Sequence, residues 1–346
     1  MAGSELSVVA TDTCGWPNLT QLANGDLLCT YFNAPSHGLM EGDLVCSLWS
    51  KKSKRWKKLS TVAKASKGSN RMHLAVGQTH SGDLLCFSSG FVVKNGKFVR
   101  FEGQWLSRSV NGGVSWQVNP SPNVPLGIEQ TIPFGRVIRL SNNRLAYTSY
   151  RSQGIGKPSN TWVIQSHDDG FTWKRKSLLG EDDSNEATLC NLGGKKILAA
   201  TRTHQDHHTK LCVQIKGKWV DQKDLTLPMQ HPADLTPISD HTVLLTYGIR
   251  NRGLMGIGAR ISLNQGKTWS APWVIHQFGK GAQDIGYPST ALLNKKMEFI
   301  SVFYTDYEST FKKSPHRYRV LSKKWRLKDW LNSRDYQKIV SEKKRV

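Results

Sequence analysis

The chain has 346 residues, 38% of them hydrophobic, with 12 Trp, 9 Tyr and 11 Phe, a composition that excludes intrinsic disorder and allows a sizeable buried core. No window reaches the ~18 uninterrupted apolar residues of a membrane helix, so no span is expected. The first residues show neither a basic nor an apolar signal region, which predicts a cytoplasmic location unless a leader has been removed. Lys and Arg number 48 against 26 Asp and Glu, a net charge of +22. That balance points to acidic glycans or other polyanions as partners; no nucleic-acid-binding motif accompanies the basic clusters.

Residues 1–13 are expected to supply a closing strand. After them one pattern recurs: two apolar stretches around a turn, which read as a hairpin, and then an octet ending in Trp. LTQLANGDLLCTYF from Leu19 is followed by WSKKSKRW, ending at Trp56, and LAVGQTHSGDLLCF from Leu74 by SVNGGVSW at 109–116. VIRLSNNRLAYTSY from Val137 leads to SHDDGFTW at 166–173, and LCNLGGKKILAATR from Leu189 to CVQIKGKW, ending at Trp219. LTPISDHTVLLTYG from Leu235 precedes SLNQGKTW at 262–269, and TALLNKKMEFISVFY from Thr290 precedes YRVLSKKW, ending at Trp325.

Three of these octets share Ser first, Asn or Asp third, Gly fifth, Ser or Thr seventh and Trp last; the other three read as eroded copies. In a complete octet the Asx side chain bonds the backbone two residues on, Gly supplies positive φ, and Trp packs the turn against the sheet. The six terminal tryptophans are 60, 57, 46, 50 and 56 residues apart. Six units of about 50 residues, each with two hairpins, predict an all-β, six-bladed β-propeller over residues 1–327 as a single domain. KDWLNSRDYQKI from Lys328 predicts a short helix within a basic tail, 328–346. The cysteines at 14, 29, 46, 86, 190 and 212 lack any C-x-x-C pairing and read as reduced core thiols.

The octets resemble the Asp-box, or BNR repeat, of the sialidase (neuraminidase) superfamily, and the six units extend the resemblance over nearly the whole chain. It implies a six-bladed propeller whose Asp-boxes lie on the blade rim, away from the chemistry, along with the basic clusters at 51–58 and 323–328. Aligning the six first strands on their turns puts Trp16, His73, Phe134, Glu186, Pro232 and Tyr287 near the central opening. Glu186 in NEATL and Tyr287 in DIGYPST resemble the family's base and nucleophile. A phenol can attack an anionic sugar without the repulsion that a carboxylate would suffer. A packed aromatic and a solvated or capping acid are the competing readings.

Arg202 in ILAATR resembles the second arginine of the family's carboxylate-binding triad, and Arg250 or Arg252 in YGIRNRG the third, with Arg252 nearer the expected spacing. The first arginine is missing, because Gly15-Trp16-Pro17 stands where the family has Arg-Ile-Pro; Arg71 is the candidate substitute. The family's acid is an aspartate in the blade-one loop. Here that loop, NAPSHGLMEGDLV, offers Asp43, His37 and Glu41. Trp16, His73 and His231 are further candidate substrate contacts. His204 and His208 in THQDHH are spaced like metal ligands, but between strands, and read as part of a polar loop. No nucleotide loop, Ser-centred elbow or HExxH motif occurs. The resemblance therefore implies a cofactor-free, retaining exo-glycoside hydrolase for an acidic terminal sugar, of sialic acid or uronate type. The alternatives are a non-catalytic propeller that binds glycan or polyanion, and a lyase or hydrolase of a uronate-containing polysaccharide.

Overall fold

The computed structural model of the chain describes residues 6–13, 15–152, 159–180, 183–193, 196–307, 318–331 and 337. Runs rich in Val, Leu, Ile, Thr and aromatic residues, punctuated by Gly, Asn and Asp, form strands joined by tight turns. After β1 (Leu6–Thr11) the first meander holds β2 (Asn18–Gln21), β3 (Leu27–Phe32), β4 (Leu44–Trp49) and β5 (Trp56–Ala63). The second holds β6 (His73–Gln78), β7 (Leu84–Lys94), β8 (Lys97–Ser109) and β9 (Gln117–Asn119). The third holds β10 (Ile132–Arg139), β11 (Leu145–Ser152), β12 (Ser159–Ser166) and β13 (Lys174–Leu178). The fourth holds β14 (Ser184–Leu192), β15 (Lys196–Thr203), β16 (Thr209–Ile215) and β17 (Lys218–Asp224). The fifth holds β18 (Gln230–Pro237), β19 (Val243–Ile249), β20 (Gly256–Ser262) and β21 (Trp273–Gln277). The last holds β22 (Ile285–Leu292), β23 (Glu298–Thr305) and β24 (Arg319–Arg326), with β1 as its outer strand.

Each sequence unit is thus one four-stranded antiparallel meander. β1 pairs with β24 from Leu6↔Lys323 to Thr11↔Arg319, so the N-terminal segment does supply a closing strand. Parallel pairing of β6 with β10 joins the second and third meanders into one eight-stranded sheet. The first strands touch one another in the order β2, β6, β10, β14, β18, β22, and β22 touches β2. Their N-terminal ends therefore share one face around a common axis, and the turns that follow them share the other.

The three complete octets fold alike. Gly113, Gly170 and Gly266 donate their N–H to Ser109, Ser166 and Ser262 Oγ at 2.9, 2.9 and 2.8 Å. Asn111, Asp168 and Asn264 Oδ1 accept from the N–H of Ser115, Thr172 and Thr268 at 3.0, 2.9 and 2.9 Å. The tryptophan Nε1 of each box donates to its own glycine carbonyl, at 3.2, 3.2 and 3.1 Å. Gly170 has φ +91°, which a side chain would strain. Trp173 then meets Phe87 and Tyr147 edge-on, each at 5.0 Å, and these two rings stack at 4.1 Å between the second and third meanders. The box turn is in this way fastened to the interface between neighbouring sheets.

One expectation changes. The octet ending at Trp325 is not a hairpin, because residues 319–326 run as the single strand β24. The outer strand of that meander comes from the N-terminus, so no turn follows β24; Trp325 instead stacks on Phe299 at 4.7 Å and donates to Ser301 Oγ at 2.9 Å. Where a helix from Lys328 is expected, the described residues form the 3-10 turn Leu327–Asp329 and Gln337 is helical; 332–336 and 338–346 lie outside the described residues. Cys29, Cys46, Cys86, Cys190 and Cys212 are buried free thiols; Cys14 lies outside the described residues. The basic segments 51–58 and 323–328 lie at the ends of β4 and β24, third strands that run toward the face of the turns, away from the ends of the first strands.

Two pH-dependent contributions follow. Burial, opposed and outweighed by bonds from Thr172, Ser166 and Phe171, leaves the Asp168 carboxyl below its usual range, so its contribution is full above the unfolded value near 4 and fades as pH falls below it. Asp168→Ala should cost about 1–2 kcal/mol at pH 7 and less at pH 3, in urea unfolding at both pH values. His276, stacked on Phe303 at 5.7 Å, is held neutral to about 4 by burial and by Lys323. An unfolded histidine protonates near 6.5, so stability is lost as pH falls from 6.5 to 4. His276→Phe should flatten that loss between pH 7 and 5; an unchanged slope would assign it elsewhere.

Candidate active site

Four of the first strands are irregular near the end that opens on the axis. The register of β10, β14, β18 and β22 shifts between Phe134 and Ile138, Asn185 and Thr188, Gln230 and Ala233, and Gly286 and Ser289. A bulge releases a residue from the ladder and re-aims its side chain. Tyr287, at φ +52° after Gly286, adopts a backbone unusual for an aromatic residue. The result is one cavity lined by all six mouth residues, Trp16, His73, Phe134, Glu186, Pro232 and Tyr287.

Within it the Tyr287 hydroxyl donates to Glu186 Oε1, and Arg202 Nη1 donates to Glu186 Oε2 at 2.8 Å. Burial first, and the Glu186 charge second, hold the phenol well above its ordinary pKa, with Arg202 opposing. The tyrosine is therefore a neutral phenol whose proton already points at a carboxylate. Trp16 stands edge-on to Tyr287 at 5.7 Å, and Phe134 and Tyr304 lie 5.9 and 5.7 Å from it.

A second charged group faces the first. Arg250 Nη2 donates to Asp284 Oδ1 and, at 3.3 Å, to Tyr304 Oη. Asp284 also accepts from Tyr304 at 2.7 Å and Tyr318 at 2.9 Å, and lies 3.5 Å from His37 Nδ1. Burial raises the Asp284 carboxyl, but the bonds from His37 and Tyr304 and the Arg250 charge outweigh it, leaving it at about 2. His37 is half-exposed and meets Trp16 edge-on at 5.0 Å.

The other candidates are placed as follows. Arg250, not Arg252, enters the site, because Arg252 sits exposed in the turn after β19. Arg71 is fully buried; its guanidinium lies over Trp105 at 4.1 Å and donates to the Ser88 and Gly103 carbonyls, so it shares no partner with Arg202 or Arg250. Asp43 Oδ1 accepts from Ala65 N at 2.8 Å and Glu41 Oε2 from Gly68 N at 2.9 Å; both acids brace the loop instead of facing Tyr287. His73 bonds Ser89 Oγ at 3.2 Å, lies 6.0 Å from Trp16, and is held neutral to about 3, chiefly by burial and then by Arg71. His231, 5.4 Å from His207, is kept neutral by burial and by Arg202 and Arg250. His204 and His208 do not converge, since His208 is held between Asp206 and Asp224.

Sequence reasoning missed Asp284, Tyr304, Tyr318 and Tyr150. Tyr150 is buried and couples electrostatically to Glu186 and Arg202. A signal was present for two of them: Tyr150 and Tyr304 end second strands, as Arg202 does.

Known proteins share this architecture. At 21% identity, a structure of unknown function from Dyadobacter fermentans superposes with TM-score 0.76 over 92% of this chain and 97% of that one. A Hadza microbial sialidase gives TM-score 0.71 at 15% identity, over 90% of this chain and 65% of its own. For the NanB sialidase of Streptococcus pneumoniae the values are 0.69 and 12%, with 95% and 70% covered. The chain thus spans about two-thirds of these sialidases (65% and 70%). Such likeness shows the fold, an all-β propeller of the sialidase kind. No curated protein matches the sequence. The BNR repeat-like domain matches residues 25–298, most of the length and all three complete octets, and the chain belongs to that family.

Proposed function

We propose that this protein is a retaining exo-glycoside hydrolase that removes an acidic terminal sugar. The observation that carries the reading is the Tyr287 hydroxyl bonded to Glu186 while Arg202 holds the second carboxylate oxygen. Tyr287 Oη attacks the anomeric carbon as Glu186 takes the phenol proton, and the glycosidic C–O bond breaks with its electron pair leaving on oxygen. Protonated His37 gives that oxygen its proton. Water, deprotonated by neutral His37, then attacks the same carbon, and the departing Tyr287 oxygen recovers its proton from Glu186. Arg202 and Arg250 meet the sugar carboxylate, since guanidinium forks suit that group. Trp16, standing where the resembled family has an arginine, leaves the carboxylate met from two sides, which keeps uronates beside sialic acid as substrates to assay.

Tyr287→Phe should lower kcat on aryl glycosides of acidic sugars by on the order of 10³-fold or more, with unfolding little changed. Full activity in that variant would remove tyrosine as the nucleophile.

The acid is tested through the leaving group, because an activated aryl oxygen needs little protonation and a sugar oxygen needs much. His37→Gln should slow natural glycans by roughly 10²-fold or more and nitrophenyl glycosides far less. Asp43→Asn, which disturbs only the loop brace, should affect both alike. Equal losses for both substrates in His37→Gln would place the acid elsewhere.

A further inference from the structure

We propose that the leaving sugar, a neutral hexose joined to the acidic residue, is held on a track of aromatic rings running from the mouth to Phe98; this rests on the hydrolase reading above. β6 begins at His73, paired with Ser89 of β7, but β7 continues to Lys94 before β8 returns. Five residues at ~3.3 Å each raise this hairpin by roughly 16 Å beyond the end of β6, on the face of the mouth. The extension is braced, because Asn70 N donates to Phe91 O at 2.9 Å and Val93 N to Gly68 O at 2.8 Å.

Its rings continue those of the site. Trp16 lies 5.7 Å from Tyr287 and 6.0 Å from His73, His73 lies 5.2 Å from Phe91, and Phe91 lies 5.0 Å from Phe98. Phe98 is 55% exposed and Val99 51%, and across the mouth loop Leu39 is 46% and Met40 43% exposed. Apolar side chains gathered beside a charged site mark a place where a ligand supplies the cover.

Geometry favours the leaving group as occupant. In the attack by Tyr287 the departing oxygen moves toward the acid. His37 meets Trp16 at 5.0 Å, and the next residue, Gly38 at φ +81°, lies so close to the hairpin that a Cβ there would stand 2.5 Å from Met72 Sδ and 3.5 Å from Phe91 Cε2. The acid loop and the start of the track are thus packed together; Trp16 itself is buried, and a sugar protonated by His37 reaches the half-buried Phe91 and, 5.0 Å from it, the exposed Phe98. The C–H face of a neutral pyranose suits such rings, whereas a second carboxylate would gain nothing from them.

Binding separates the two readings. Tyr287→Phe, slowed by on the order of 10³-fold or more on the hydrolase reading, is titrated calorimetrically with the methyl glycoside of the acidic sugar and with the same sugar joined to a neutral hexose. The disaccharide should bind about 3- to 10-fold tighter, the scale of one good aromatic contact. Adding Phe98→Ser should erase that advantage and leave the methyl glycoside unchanged, while Phe98→Trp should keep it. Equal affinity for the two ligands, or an advantage that survives Phe98→Ser, would reject the track and leave the hydrolase reading standing. Failure of both ligands to bind would overturn the hydrolase reading and the track with it.

Discussion

Everything at the mouth depends on a clamp across the axis, the ion pair of Arg136 with Asp234. Arg136 on β10 donates through Nε and Nη2 to the two carboxylate oxygens of Asp234 on β18, at 2.7 and 2.5 Å. The same guanidinium reaches the Leu19 carbonyl of β2 at 3.2 Å and the Thr290 carbonyl of β22 at 2.7 Å, and Asp234 accepts from Thr290 N at 2.8 Å. One pair therefore ties four first strands from different meanders. Such a pair is costly to desolvate and stabilises only when its donors and acceptors are satisfied; removing one partner costs about 3–5 kcal/mol. The guanidinium suits the task because its planar fork spans several acceptors at once.

The mouth residues sit two positions before the clamp on three of these strands: Phe134 before Arg136, Pro232 before Asp234, and Tyr287 before Ser289, whose Oγ bonds Leu19 N at 3.0 Å and Arg136 at 3.3 Å. The clamp sets the separation of the strands, and the bulges just ahead of it turn chosen side chains into the opening. A tyrosine from the last meander can then meet a glutamate from the fourth, 101 residues away in sequence. The Asp-boxes act at the opposite end, fastening outer hairpins to neighbouring sheets, so the sequence signal and the candidate site lie on different faces of the same fold.

That separation explains what the sequence made legible. Repeated octets and hairpins depend on local turn chemistry, and the meanders, the closing strand and the six mouth positions were readable from them. The last octet misled because β1, from the far end of the chain, takes the place of a local outer strand. Side-chain partners across the axis are not written in local pattern. Arg250 and Arg252 lie two residues apart, and only the turn at Asn251 separates a part-buried donor from an exposed charge. Asp43 fitted the acid by loop position, yet its carboxylate is spent on Ala65 N. Asp284 went unnoticed because it precedes β22, outside any repeated element, although its N–H and that of Gln283 bond Asp306 Oδ1 at 3.1 and 3.0 Å.

On the proposed reading, the two arginines are already paired, which bears on how a substrate carboxylate is received. Arg202 has its Nε buried without a partner among the described residues, a donor whose isolation costs about 1–3 kcal/mol and which an incoming acceptor would relieve. Arg250 can turn from Asp284 toward the sugar without stranding that carboxylate, because Tyr304, Tyr318 and His37 still attend it. Glu186 likewise keeps the Tyr287 hydroxyl when Arg202 shares its charge. Weakening the Arg202 bond concentrates charge on Glu186 at the moment the phenol must lose its proton. Binding of the acidic sugar and activation of the nucleophile are in that way coupled through one guanidinium.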